Sequence, residues 1–245
     1  MGRAAADGRT VTPKVFSLVI PMFKESARIE ATVATLAAST LNRFNMEFVF
    51  VDDGSADGTA VATEAAIVAH GLRDARVVRL AANVGKGGAV RAGVLASSGA
   101  HIGFVDADLS LDPAEVSRSL ARLMASTADL VVGYRIVNEA TQPPLRRLAS
   151  RIFTRVVTHL MPTDARDTQC AMKVFRGPVA LELFAPLETM GFAFDVEILA
   201  RARRSGYLVD EVPVRWQHQP GSRLNTGTAG LAMVREVLAV RRSLR

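Results

Sequence analysis

Short β-branched runs recur through the first half of the chain, and several of them end in acids or other polar residues. Val15–Ile20, Glu47–Val51, Arg76–Leu80, His101–Val105 and Asp129–Gly133 read as strands, and most are too apolar to own a wet face. Helix punctuation lies between them. The segment after Asp57 carries Val61, Ala65 and Val68 and stops at His70-Gly71, a glycine suited to a left-handed cap, with Asp57 expected as the N-cap. Asp112-Pro113-Ala114-Glu115 supplies an N-cap acid, a proline at the first helical position and an early glutamate. Strand and helix in this rhythm predict an α/β chain with a doubly wound, mostly parallel sheet.

The second half is less regular. A basic amphipathic stretch follows Pro143-Pro144, from Leu145 to Leu160. A short strand is expected at Cys170–Phe175, a helix at about Ala193–Arg204, a strand at Tyr207–Val214 and an amphipathic helix at Ala229–Leu244. No repeat or linker interrupts this order.

Composition narrows the functional classes. The chain of 245 residues carries a net charge of +6. Residues 1–130 hold 13 Lys/Arg against 14 Asp/Glu, and residues 131–245 hold 17 against 10, so the basic excess belongs to the second half. An anionic partner there is one reading and a solvated basic face is the other. Aromatic residues make up 6% and no nucleic-acid motif appears, which argues against nucleic acid. The single cysteine, Cys170, rules out an internal disulfide framework and suits a reducing compartment. No apolar run approaches the roughly 20 residues needed to span a bilayer. Residues 1–12 lack the apolar centre of a signal peptide and are read as a disordered tail.

Ligands of open parallel sheets bind beyond the carboxyl ends of the strands. Three such ends carry polar clusters: Pro21-Met22-Phe23-Lys24-Glu25, Asp52-Asp53-Gly54-Ser55-Ala56-Asp57-Gly58 and Asp106-Ala107-Asp108-Leu109-Ser110. Carboxylates gathered at one edge repel each other, so something positive is expected among them. Asp106 and Asp108 are two apart and can turn toward one hard cation, with Mg2+ or Mn2+ suited to oxygen ligands and to substrate phosphates. The alternative is that Asp108 or Ser110 only caps the next turn. Asp53 can accept hydrogen bonds from a base or a ribose hydroxyl. Asn83-Val84-Gly85-Lys86-Gly87-Gly88 matches no phosphate-loop pattern, yet its glycines permit close backbone approach to a nucleotide and Lys86 adds a charge. A flexible helix start is the other reading.

Taken together, Val19-Ile20-Pro21 with Glu25, Val51-Asp52-Asp53-Gly54-Ser55-Ala56-Asp57-Gly58-Thr59 and Asp106-Ala107-Asp108 resemble the family 2 glycosyltransferases, inverting enzymes of the GT-A fold. More narrowly, Asn83–Arg91, Asp167-Thr168-Gln169-Cys170, Phe194-Asp195-Val196-Glu197, Glu211-Val212-Pro213-Val214 with Trp216, and Gly221-Ser222-Arg223 resemble dolichyl-phosphate β-glucosyltransferases, relatives of the polyprenyl-phosphate mannose synthases. The resemblance covers Phe16 to Asn225 and implies one glycosyltransferase domain over residues 13–245, with a nucleotide-binding half at 13–130 and an acceptor-binding half at 131–245.

It also implies roles. Pro21, Glu25 and Asp53 would hold the nucleoside, Arg223 would close over the diphosphate, and Asp106 and Asp108 would hold the Mg2+ or Mn2+ ion; Lys86, read from the residues alone, stays a candidate for the nucleotide sugar. Ser110 stands where the mannose synthases carry a glutamine as a further ligand, so that ligand is unassigned. Arg135 matches an acceptor-phosphate arginine; the spacing of Arg147 and Arg151, four apart on the basic stretch, makes them candidates for the same phosphate, with a solvated surface as the alternative. Asp167, Asp195 and Glu197 are candidates for orienting the sugar or accepting a proton; Asp195 and Glu197 have ion pairs with Arg201 or Arg204 as their alternative. The expected activity is transfer of glucose from UDP-glucose to a polyprenyl or dolichyl phosphate, by a cytoplasmic protein with room for peripheral attachment to the membrane surface. A soluble or polysaccharide acceptor and a GDP-mannose donor stay open. Sugar-1-phosphate nucleotidyl transfer is disfavoured, because Pro21–Glu25 has no glycine.

Overall fold

The computed structural model describes residues 14–136, 163, 165–216 and 235–242. Its centre is a seven-stranded sheet in the order β3-β2-β1-β4-β6-β5-β7. The strands are β1 (Phe16–Met22), β2 (Met46–Asp52), β3 (Ala75–Arg79), β4 (His101–Phe104), β5 (Leu130–Arg135), β6 (Lys173–Arg176) and β7 (Val209–Val214). β1 pairs in parallel with β2 and β4, β2 with β3, and β5 with β7. β6 alone runs antiparallel, wedged between β4 and β5.

Alternate side chains of the central strands feed two cores. Phe16, Leu18, Ile20 and Met22 of β1 and Met46, Phe48 and Phe50 of β2 face one side with Ile29, Val33, Leu36, Ala66, Val116 and Leu123. Val19, Val49 and Val51 face the other with Val90, Val94, Leu183, Phe184, Ile198 and Leu199. Helices α1 (Ile29–Ala38), α2 (Thr59–His70) and α4 (Pro113–Met124) cover the first face, and α3 (Lys86–Ala96), α5 (Gly177–Phe184) and α6 (Phe194–Arg204) the second. This double cover explains why the strands read as near-continuous apolar runs. Phe104, Phe175, Phe184 and Phe194 stack beneath the second face, with ring centroids 5.5–6.4 Å apart. Each such ring contributes about 1.5–3 kcal/mol of burial.

The punctuation behaves largely as expected. Asp112 caps α4 by accepting from Ala114 N at 2.8 Å, Pro113 opens that helix, and Gly71 closes α2 at φ 63°. Asp57 differs from expectation. The N-cap of α2 is Gly58. Asp57 stands one residue earlier and accepts from Thr59 Oγ1 at 2.6 Å and Ser26 Oγ at 2.9 Å, joining the loops after β1 and β2. Among the described residues, α1 and α5 were not assigned from the sequence, and the start of α3 was read only as the alternative for Asn83–Gly88. Residues 235–242 are helical, within the terminal helix expected at 229–244, while the basic stretch 145–160 lies outside the described residues.

Candidate active site

The carboxyl ends of β1, β2 and β4 open on the same edge of the sheet, since Met22 stands opposite Asp52 and Phe104 opposite Val19. The chain continues β4 through Val105, whose N–H donates to Val19 O at 3.1 Å, and delivers Asp106-Ala107-Asp108 to the rim. Thr32 of α1 pins this segment by donating to Ala107 O at 2.6 Å. Leu109 then turns at φ 45°, and across the rim Lys24 turns at φ 57°. Both are left-handed conformations that L side chains rarely adopt, and such departures concentrate at functional edges.

The two acids are held differently. Asp108 Oδ1 accepts from Ser110 N at 2.9 Å and Ser110 Oγ at 2.8 Å, which fixes the carboxylate plane and leaves Oδ2 without a hydrogen bond among the described residues. Asp106 Oδ1 lies 2.5 Å from Lys86 Nζ, and its side chain keeps 34% of its exposure. The turn-capping alternative for Ser110 and Asp108 therefore describes Oδ1 alone. Two hard oxygen donors suit a cation that retains several waters and takes its remaining ligands from a substrate. Among the described residues no group of three His, Cys, Asp or Glu side chains is placed to hold a metal, so the two carboxylates are what these residues offer a cation.

Lys86 is presented by a braced loop. Asp53, nearly inaccessible at 2% exposure, accepts from Val84 N at 2.7 Å, Gly85 N at 3.0 Å and Asn83 Nδ2 at 2.9 Å. Burial pushes its carboxyl above the ordinary range, a rise also fed by Asp52 and opposed by the two backbone N–H groups. Asp53 thus shapes the loop that carries Lys86. The glycines of that loop admit a close neighbour from within the chain. A β-carbon on Gly85 would fall 2.5 Å from Met190 O, and one on Gly87 would fall against Thr189 O and 2.7 Å from Phe194 Cβ. Gly88 N donates to Met190 O at 3.2 Å. The close approach is to the 189–191 backbone, which locks the start of α3 to the segment before α6.

At the end of β1, Pro21 lies inside the strand opposite Val51. Glu25 forms a two-point ion pair with Arg28, whose Nη2 is 2.7 Å from Oε1. The Arg28 guanidinium is held above its ordinary value chiefly by that carboxylate, against burial, with Asp108 adding to the effect. Lys24 N donates to Ser55 Oγ and Glu25 N to Thr59 Oγ1, both at 2.9 Å, so the two loops move as one.

On the other side of the sheet's centre, Arg135 at the end of β5 grips Asp167 with both arms of its fork, Nε to Oδ2 at 2.7 Å and Nη2 to Oδ1 at 3.0 Å. Trp216 lies under the guanidinium at 6.0 Å. Burial pushes the Asp167 carboxyl up, but the hydrogen bonds and charge of Arg135 outweigh it and hold the group below the usual range. A carboxylate so placed is a weak proton acceptor, and it already counters the charge of Arg135. The sequence presented these as separate candidates, and the structure makes them one unit.

Sequence reasoning missed Lys173. It is fully buried on β6, and its Nζ donates to Asp195 Oδ1 at 2.5 Å, Cys170 O at 2.7 Å and Thr168 O at 3.1 Å. The signal was present as a lysine flanked by Ala171-Met172 and Val174-Phe175. Asp195 therefore pairs with Lys173 rather than with Arg201 or Arg204, while Glu197 does take Arg201, at 2.8 Å. Glu197 also accepts from Glu188 N and Thr189 N, which makes it a brace for the 188–191 segment. Because Lys86 feels both Asp106 and Asp195, charges alternate from Asp106 through Lys86 and Asp195 to Lys173, linking the two halves of the rim. Arg147, Arg151 and Arg223 lie outside the described residues.

Known proteins resemble this chain in sequence and in fold. The family model described as glycosyl transferase family 2 matches residues 17–184. The chain is 30% identical to a dolichyl-phosphate beta-glucosyltransferase of Dictyostelium discoideum, over 92% of this chain and 73% of that protein. It is 32% identical to the dolichyl-phosphate beta-glucosyltransferase of Drosophila melanogaster, over 91% of this chain and 73% of the relative. Its fold matches the crystal structure of glucosyl-3-phosphoglycerate synthase from Mycobacterium tuberculosis, in complex with Mn2+, UDP-glucose and phosphoglyceric acid. That match has a TM-score of 0.69 at 21% identity and covers 94% of this chain and 80% of the other. The sheet is thus the GT-A type expected from the sequence, and the chain belongs to glycosyl transferase family 2.

Proposed function

We propose that this chain is an inverting hexosyltransferase that moves glucose from UDP-glucose to the phosphate of a polyprenyl or dolichyl phosphate. The observation that carries the proposal is the Asp106-Ala107-Asp108 rim beyond β4, with Lys86 against Asp106, in a chain about 30% identical to dolichyl-phosphate beta-glucosyltransferases over most of its length. Residues 13–245 act as one unit, with the nucleotide handled by 13–130 and the acceptor by 131–245. Pro21 and Glu25 border the nucleoside, and Asp53 contributes by holding the 83–85 loop. Lys86 and Arg223 meet the diphosphate, and Arg135, Arg147 and Arg151 meet the acceptor phosphate.

Asp106 and Asp108 hold Mg2+ or Mn2+, which when bound offsets negative charge on the departing nucleotide. An oxygen of the acceptor phosphate forms the new bond to the anomeric carbon from the face opposite the leaving group. The bond from that carbon to the UDP oxygen breaks, and UDP departs with the electron pair. A phosphate monoester has its second pKa near 6, so at neutral pH the nucleophile is already ionised and needs positioning more than a base. Asp167, held ionised by Arg135, fits a positioning role. Among the described residues no helix is long and apolar enough to cross a membrane, and the lipid acceptor is drawn from a membrane surface.

The test is transfer of radiolabelled glucose from UDP-glucose into a polyprenyl-phosphate-containing lipid extract, with Mn2+ or with EDTA. Metal-dependent label in the lipid phase supports the proposal. Equal labelling in EDTA, or label passing only to water-soluble acceptors, overturns it.

A further inference from the structure

Lys86 is paired with Asp106, one of the two carboxylates assigned above to the metal. Its ammonium is 2.5 Å from Asp106 Oδ1, keeps 20% of its side-chain exposure, and lies 6.0 Å from the centre of the Phe192 ring. Lys86 opens α3, so the positive end of the helix dipole reinforces its charge. The backbone on either side cannot retreat. Gly85 N is fixed to Asp53 Oδ2, and Gly88 N to Met190 O. The ammonium can leave Asp106 only by swinging on its own side chain, and it then needs another anion.

We propose that Lys86 is a tethered counter-cation that competes with the divalent ion for Asp106, so that metal and nucleotide diphosphate bind as a coupled pair. Without nucleotide, the ammonium satisfies Asp106 and repels an arriving dication. When a diphosphate arrives, Lys86 transfers to it and releases Asp106 to the ion. Metal alone therefore binds weakly, and each ligand strengthens the other, since coupling between two sites is reciprocal. The inference rests on the proposed assignment of Asp106 and Asp108 as metal ligands and adds an order to their use.

The test measures Mn2+ binding by electron paramagnetic resonance of the free ion, without and with UDP, for the unaltered protein, Lys86→Met and Lys86→Arg. Removing a unit positive charge this close to a ligand should tighten binding of Mn2+ alone by roughly tenfold, while UDP binding at saturating Mn2+ weakens by a similar factor. Lys86→Arg keeps the charge and should leave Mn2+ binding alone within about threefold of the unaltered protein. Lys86→Gln is the second neutral variant, and circular dichroism verifies that each variant is folded. If Mn2+ alone binds the neutral variants no more tightly than the unaltered protein, the competition is refuted while the metal assignment stands. If Mn2+ binds the unaltered protein as tightly without UDP as with it, the coupling is refuted. If Mn2+ fails to bind even with UDP, the metal assignment itself falls and takes this inference with it.

Discussion

Lys173 Nζ and Asp195 Oδ1 are 2.5 Å apart in a part of the core where the lysine is sealed from solvent and the carboxylate nearly so. Two backbone carbonyls, those of Thr168 and Cys170, complete the lysine's hydrogen bonds. The ion pair thereby ties the 168–170 loop, next to Asp167, to the first turn of α6.

Lys173→Met should be costly because it leaves Asp195 buried without its hydrogen-bonded cation, with only the more distant charge of Lys86 acting on it. Breaking one side of such a pair costs about 3–5 kcal/mol. The double variant Lys173→Met/Asp195→Asn removes the stranded charge and should recover at least half of that loss. Urea denaturation followed by circular dichroism measures both.

Much of this architecture was legible in the sequence. Near-continuous apolar strands betrayed the doubly covered sheet, Gly71 and Asp112-Pro113 marked helix ends, and the polar clusters after β1, β2 and β4 located the rim. Other features were hidden for physical reasons. Helix α3 begins with Lys86-Gly87-Gly88, whose low helix propensity left its start ambiguous, and the glycine at 87 is explained only by the backbone of Thr189 and Gly191 packed against it. The Lys173–Asp195 pair joins positions 22 residues apart whose spacing follows no local rule, and only the fold brings them together. Asp53 and Arg135 were singled out correctly as polar residues at strand ends, but their partners, the 83–85 amides and Asp167, are tertiary facts.

Asp108→Ala removes the carboxylate that Ser110 holds in place. Glucose transfer should fall at least about 100-fold, in line with losing a principal stabiliser of the leaving group. The thermal stabilisation by UDP with Mn2+ should shrink as well, because ligand-linked stability follows affinity. Steady-state kinetics and a thermal-shift titration read the two effects separately.

Arg135 and Asp167 should behave as a single unit. Arg135→Lys keeps the charge but loses the fork, and kcat/KM for the acceptor should drop about 10- to 100-fold. Asp167→Asn should produce a comparable fall, and the double variant should be far less impaired than the product of the two, as for coupled neighbours.

Asp167 also sets an acid limit. Its folded pKa is lowered, burial being outweighed by the Arg135 hydrogen bonds and charge, while the unfolded value is about 3.9. The pair therefore contributes stability above the unfolded value and loses it as pH falls through the folded one. The gap in urea midpoint between the unaltered protein and Asp167→Asn should be constant near neutrality and narrow below about pH 4.

Gly87→Ala places a methyl group against Thr189 O and 2.7 Å from Phe194 Cβ, with no flexible side-chain tip to yield. Overpacking of this kind costs roughly 1–3 kcal/mol. For a chain of this length the melting temperature should fall by about 3–10 °C, measurable by calorimetry.

The contact of Gly85, Gly87 and Gly88 with residues 189–191 limits how such a chain can be recombined. The two portions are not interchangeable cassettes. A graft that imports residues 131–245 from a relative whose turn needs more room would jam on the start of α3, and one that imports a bulkier α3 would jam on the turn. A viable hybrid is therefore reached by altering side chains one at a time, or by transplanting both sides of this junction together.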